Sequence, residues 1–153
     1  MMTLDKKVVL KIALLGFLTG GCSNTVKVYS GPDLPPDQIS VINAHKQTGQ
    51  SASMLIRRVN GVETMEGSNA NIQVLPGKQT LRIELHKTGS SSDSFSDMRS
   101  INTLSFFSKP GMFYRVYGDI DNGMGRVWIV DGKNKPVAFA DMASLYHWEK
   151  QNQ

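Results

Sequence analysis

The sequence predicts an all-β domain, a small antiparallel β-sandwich of about seven to eight short strands. Two observations carry that expectation. Thr80-Leu81-Arg82-Ile83-Glu84-Leu85-His86 alternates without a fault, setting Leu81, Ile83 and Leu85 on one face and Arg82, Glu84 and His86 on the other, the period-two pattern of a half-buried strand. Turn residues then recur between short apolar stretches: Asn60-Gly61 and Asp131-Gly132 suit the positive backbone angles of tight hairpins, Pro76-Gly77 parts two strands, and Asp121-Asn122-Gly123 closes another.

Taken in order, the strand candidates are Ile39 to Ala44, Ser53 to Val59, Asn71 to Leu75, Thr80 to His86, Ser100 to Phe107, Met112 to Gly118, Arg126 to Val130 and Pro136 to Phe139. Thr88 to Asp97 is serine-rich and polar, hence a loop. Near the end, Asp141 is placed to cap a short helix from Met142 to about Lys150, with Met142 and Leu145 on one side and Trp148 near them. No repeat of solenoid or propeller length is visible.

Ahead of the domain the pattern changes. Lys6, Lys7 and Lys11 make a positive amino-terminal region, and Val8 to Leu18 is apolar apart from Lys11, Gly16 and a few small residues. This is the layout of a secretory signal peptide. The apolar run is about half of the roughly 20 residues a spanning helix needs. It ends in Leu18-Thr19-Gly20-Gly21-Cys22, where small residues lead into the one cysteine of the chain. The segment resembles the lipobox of bacterial lipoproteins, with Thr19 where Leu is commoner. The resemblance implies that the Cys22 sulfur takes a diacylglyceryl group, that the signal is removed, and that the new amino terminus is acylated. Two or three chains on one residue hold a protein firmly, since each buried methylene contributes about 0.8 kcal/mol. In such lipoproteins Asp after the cysteine typically retains the protein at the inner membrane; Ser23 favours the outer membrane instead. No other cofactor is expected.

The organisation that follows is a signal peptide over 1–21, a lipidated amino terminus and proline-rich tether over 22–36, and the β-sandwich over 37–153. Pro32, Pro35 and Pro36 favour an extended path. Tyr29-Ser30-Gly31-Pro32-Asp33-Leu34-Pro35 resembles the Tyr-x-Gly-Pro-x-Leu-Pro segment of a family of uncharacterised proteobacterial lipoproteins, which implies no activity. Leu75-Pro76-Gly77-Lys78-Gln79-Thr80-Leu81-Arg82-Ile83 is similar to the Leu-Pro-Gly strand signature of PEGA-type β modules, which implies fold class rather than function.

Three lysines and one aspartate precede Cys22, so the formal charge falls from +4 to +2 in the processed chain. The remaining cations form no run and no aromatic-interleaved patch, so nucleic acid is not an expected partner. With Cys22 lipidated no disulfide can form, and burial must hold the fold.

Catalytic and metal chemistry find little support. His45, His86 and His147 lack the close pairing of a zinc site. Asp119-Ile120-Asp121-Asn122-Gly123 brings its glycine one residue early for a calcium loop and has Val130 where the bidentate Glu belongs, so it reads as a hairpin turn. No Gly-x-Ser-x-Gly elbow is present; Ser90-Ser91-Ser92 lies in the loop. Tyr114, Tyr117, Trp128, Tyr146 and Trp148 fit sandwich core and edge packing better than a sugar-binding surface. Tyr146 and Trp148, read as lying outside the strands, are the candidates for partner contact. The expectation is a non-enzymatic binding or structural lipoprotein of the outer membrane, facing the periplasm, with an envelope protein or polysaccharide as partner. The alternatives are an envelope enzyme acting on polysaccharide, or an adaptor of a secretion or surface-assembly machine.

Overall fold

A computed structural model describes residues 24–45, 52–67, 70–88, 97–121, 123–143 and 145–146; Cys22, His147 and Trp148 lie outside these. The strands are β1 (Thr25–Lys27), β2 (Ser40–Ala44), β3 (Ser53–Val59), β4 (Val62–Glu66), β5 (Asn71–Val74), β6 (Gly77–Lys87), β7 (Met98–Ser108), β8 (Phe113–Asp121), β9 (Met124–Asp131), β10 (Pro136–Ala143) and β11 (Leu145–Tyr146). They form two sheets, ordered β1-β5-β2-β8-β9-β10 and β11-β7-β6-β3-β4, packed face to face as an all-β sandwich. We refer to them as the six-stranded and five-stranded sheets.

Alternation builds the core. From the five-stranded sheet come Met54, Ile56 and Val59 of β3, Leu81, Ile83 and Leu85 of β6, and Leu104 and Phe106 of β7. The six-stranded sheet supplies Ile42 and Ala44 of β2, Ile72 and Val74 of β5, Tyr114, Val116 and Ile120 of β8, and Val127 and Ile129 of β9. Burying each of the larger side chains is worth about 1.5–3 kcal/mol. Phe106 meets Tyr114 edge-on across the sandwich, with ring centroids 4.9 Å apart. The Tyr114 hydroxyl accepts a part-buried hydrogen bond from the Lys109 backbone N–H at 2.9 Å. Where the sheets come closest, glycine replaces a side chain: a Cβ at Gly118 would collide with Leu85 and one at Gly125 with Ser100.

The sandwich is mixed rather than purely antiparallel, because β1 runs parallel to β5 and β2 parallel to β8. Strands distant in the chain pair here, and no hairpin constrains their direction. The segment expected to act as a tether supplies β1, an edge strand, through Thr25–Lys27. β4 escapes the period-two reading because it is a five-residue edge strand with the exposure pattern of a surface element, Val62 and Met65 both lying open.

At the carboxyl end, the helix expected from Met142 is replaced by strand over residues 142–143 and 145–146. Asp141, Met142 and Ala143 continue the ladder against Arg126, Gly125 and Met124. Leu145 and Tyr146 then pair with Arg99 and Met98 of the other sheet. The backbone groups a helix would satisfy internally are thus taken by two sheets, and the chain crosses from one to the other here, as sandwich corners do. The helix expectation for residues 147–150 lies outside the described residues. Among the described residues no helix is long and apolar enough to cross a membrane.

Turn chemistry follows the residues that demanded it. Asn60 and Gly61 both take positive φ, at 52° and 83°, as a two-residue hairpin requires. The Asn60 side chain also accepts from the Thr80 N–H at 2.9 Å and donates to Gln79 at 2.8 Å. The Asp131-Gly132 site differs from the tight hairpin expected. A longer loop forms in which Asn134 is the left-handed residue, at φ 60°. Asp131 Oδ1 accepts the N–H groups of Lys133 and Lys135, both at 2.9 Å. The hydrogen bond from Lys135 is the main reason the Asp131 carboxyl is held below its usual range, joined by that from Lys133 against a smaller desolvation effect. Asp121 and Met124 face each other across the β8–β9 turn, where Gly123 takes φ 76°.

Candidate functional site: a guanidinium-lined depression

The outward residues of β6 were expected to face solvent. Instead Glu84 is only 9% exposed. The register places Leu55 of β3 and Ile101 of β7 on either side of it, and two arginines close over it. Arg57 Nε donates to Glu84 Oε2 at 2.5 Å. Arg99 Nε stands 2.5 Å from Oε1 as an ion pair. Burial, the largest single influence, pushes the Glu84 carboxyl up; the close contacts and charges of Arg57 and Arg99 together outweigh it and hold the group below the usual carboxylate range. The same contact with Glu84 is the main cause raising Arg57 above its ordinary value.

A β-bulge brings a further arginine to this face. Ile56 pairs with Ile83 and Arg58 with Arg82, leaving Arg57 as an extra residue in β3. Strict alternation would send Arg57 and Arg58 to opposite faces. With the bulge both line the same depression, while Ile56 and Val59 on either side stay fully buried. Bulges re-aim side chains in this way. β4 adjusts to match. Thr64 Oγ1 donates to the Ile56 carbonyl at 2.8 Å, and Met65 adopts φ 50°, a left-handed backbone that a residue other than glycine or asparagine rarely holds without cost.

The resulting depression has a volume of about 180 Å³ and is lined by Arg57, Arg58, Arg82, Arg99, Glu63 and Glu84 with Met65 and Ile101. Arg58 pairs with Glu63 at 2.7 Å, and this hydrogen bond is the main reason the Glu63 carboxyl is lowered. Among the described residues the Arg82 side chain has no ion pair or hydrogen bond. Four guanidinium groups thus face two carboxylates. Such an arrangement is chemically suited to a hydrogen-bond acceptor carrying negative charge.

The opposite outer face is aromatic. Tyr117 of β8 stacks on Trp128 of β9, centroids 5.7 Å apart and planes 17° from parallel. His45, just past β2, meets Tyr117 edge-on at 5.3 Å. Phe139 of β10 sits opposite Trp128 in the ladder and is 60% exposed. Four rings therefore lie in one row across the six-stranded sheet. Tyr114 lies in the core, and Trp128 packs on the outer face, because Val127 and Ile129 take the inward positions of β9.

The residues singled out from sequence are mostly elsewhere. Tyr146 is in a strand, paired with Met98, rather than in a free segment. His86 lies 3.4 Å from Asp97. Among the described residues no three His, Cys, Asp or Glu side chains are grouped to hold a metal ion. The arginine cluster was missed because Arg57, Arg58, Arg82 and Arg99 are dispersed in the chain; the adjacent Arg57-Arg58 pair inside an alternating strand was the one available signal of a bulge. No protein-family model matches the chain, and no curated protein or solved structure matches it.

Proposed function

We propose that this chain is a lipid-anchored component of the bacterial outer membrane, held through Cys22 with its domain in the periplasm, and that it binds a partner without catalysing a reaction. The observation that carries the binding part is the state of Glu84. Its carboxylate is committed to Arg57 and Arg99 and held below the usual carboxylate range. At neutral pH it has no proton to give, so it acts as a strut that holds the guanidinium groups in place rather than as a general acid. Supporting the anchor are the basic start, the short apolar run and the Leu18-Thr19-Gly20-Gly21-Cys22 ending. The opening of β1 at Thr25, so soon after Cys22, would hold the sandwich close to the bilayer.

Mass spectrometry of the amino-terminal peptide from cells tests the anchor. The expected species begins at Cys22 and carries diacylglyceryl and acyl groups, and Cys22→Ala leaves the signal uncleaved or misprocessed. An unmodified Cys22, or cleavage well downstream of it, sinks the lipoprotein reading.

A second reading, an adaptor that adds a partner's strand to its own sheet, draws on β10. This edge strand of the six-stranded sheet carries Val137 and Phe139, 40% and 60% exposed, where unpaired backbone groups and apolar side chains favour strand addition. A photo-crosslinker at position 139 in intact cells would capture a protein in that case, and lipid or nothing otherwise.

A further inference from the structure

We infer that the depression between β3, β4, β6 and β7 is a phosphate-binding site, taking a phosphomonoester carried by an envelope molecule; this rests on reading that depression as a binding surface. Charge argues first. Arg57, Arg58, Arg82 and Arg99 outnumber Glu63 and Glu84 by two positive charges within one concavity, where like charges repel and a bound anion relieves them. A phosphomonoester carries about 1.5 to 2 negative charges at neutral pH, with three strong acceptor oxygens.

Donor geometry argues next. Arg57 and Arg99 both approach Glu84 through Nε, so the terminal nitrogens of each stay unbound to described residues, as does the whole guanidinium of Arg82. A carboxylate offers two oxygens and one charge, and Glu84 already occupies that role. Arg82 and the terminal nitrogens of Arg57 and Arg99 call for an acceptor with more oxygens and more charge.

The backbone argues third. A bulge in β3 and a left-handed Met65 in β4 both border this depression. Each is a local cost, and they bring two consecutive arginines to one face. A surface ion-pair network serving stability alone would not need them, since exposed pairs contribute only about 0–1 kcal/mol.

The test uses the full processed chain in neutral detergent, with ionic strength held constant by chloride. Inorganic phosphate and glucose 1-phosphate should each raise the thermal midpoint in a saturable way. Arg82→Ala, which breaks no side-chain hydrogen bond or ion pair among the described residues, should weaken both at least about tenfold, the usual effect of deleting a charged hydrogen-bond partner. Arg115→Ala, on the six-stranded sheet, should leave both unchanged. Chains reconstituted in phosphatidylcholine discs with and without phosphatidic acid separate the sources: a larger midpoint with phosphatidic acid that is lost in Arg82→Ala assigns a lipid headgroup, and equal midpoints assign a soluble or glycan-borne phosphate. Equal losses in the Arg82 and Arg115 variants would overturn the site as unspecific. Response to polygalacturonate without response to phosphate would overturn the phosphate assignment and leave the binding reading standing. Response to none of these anions would overturn both.

Discussion

The two outer faces of the sandwich are each built on a β ladder and hold themselves together differently. On the six-stranded sheet the row from Tyr117 through Trp128 to Phe139 is made of aromatic rings without charge, with Tyr117 and Trp128 stacked in register. On the five-stranded sheet the corresponding centre is a carboxylate between two guanidinium groups, in a depression where four arginines face two carboxylates. A stack of rings is cohesive without help, because apolar contact and ring quadrupoles do not depend on salt or pH. The arginine depression is cohesive only while Glu84 is ionised, and remains short of negative charge even then. The first face is held by ring contact, and the second keeps four arginines beside two carboxylates.

The largest effect should come from the layer both faces share. Ile83 is fully buried, so Ile83→Asp would place an unpaired carboxylate among apolar groups, costing several kcal/mol, comparable to the whole stability of such a domain. The variant should be unfolded at neutral pH by circular dichroism, and a folded spectrum would mean that Ile83 does not face the core.

Next is Glu84→Lys. Replacing the strut with a third cation between Arg57 and Arg99 leaves buried charge uncompensated, which we expect to cost about 2–4 kcal/mol by urea titration. That is somewhat under the usual figure for breaking a buried pair because the depression opens to solvent. A loss under about 0.5 kcal/mol, the range of an ordinary surface substitution, would show that β6 has a bare outer face.

The acid limb sharpens the same contrast. Because the Glu84 carboxyl is lowered in the folded protein from an ordinary value of 4.5, its contribution to stability is fully present above that value and is lost as pH falls through the lower folded one. Glu84→Gln should therefore be less stable than the parent at pH 7, and the gap should close below pH 4.5. Urea midpoints at a series of pH values read this directly; a gap that stays constant through the acid range would contradict it.

The smallest effects belong to the aromatic face. Trp128→Ala should cost about 1–2 kcal/mol, from lost stacking on Tyr117 and partial burial, and this loss should be the same at low and high salt. Phe139→Ala, at a position 60% exposed, should cost under about 0.5 kcal/mol. Urea titration at two chloride concentrations separates the faces: salt should change the Glu84→Lys penalty and leave that of Trp128→Ala unchanged.

By itself the sequence determined the fold class, most strands and the inward positions. Leu81, Ile83 and Leu85 face the core because a strand's side chains alternate and water expels apolar groups, a rule that needs no knowledge of neighbours. Asn60-Gly61 formed its hairpin for a similarly local reason, the ease with which those residues take positive φ. The anchor reading at Cys22 also rests wholly on local pattern. Tertiary structure decided what local rules cannot: the parallel pairings of β1 and β2, the conversion of residues 142–143 and 145–146 from expected helix to strand, and the surroundings of Glu84. Alternation correctly sent Glu84 outward. It could not say that a bulge at Arg57 and the pairing of β6 with β7 would bring two arginines over it. Coulomb interactions depend on distance in space, and for residues this far apart in the chain that distance exists only once the sheet has formed.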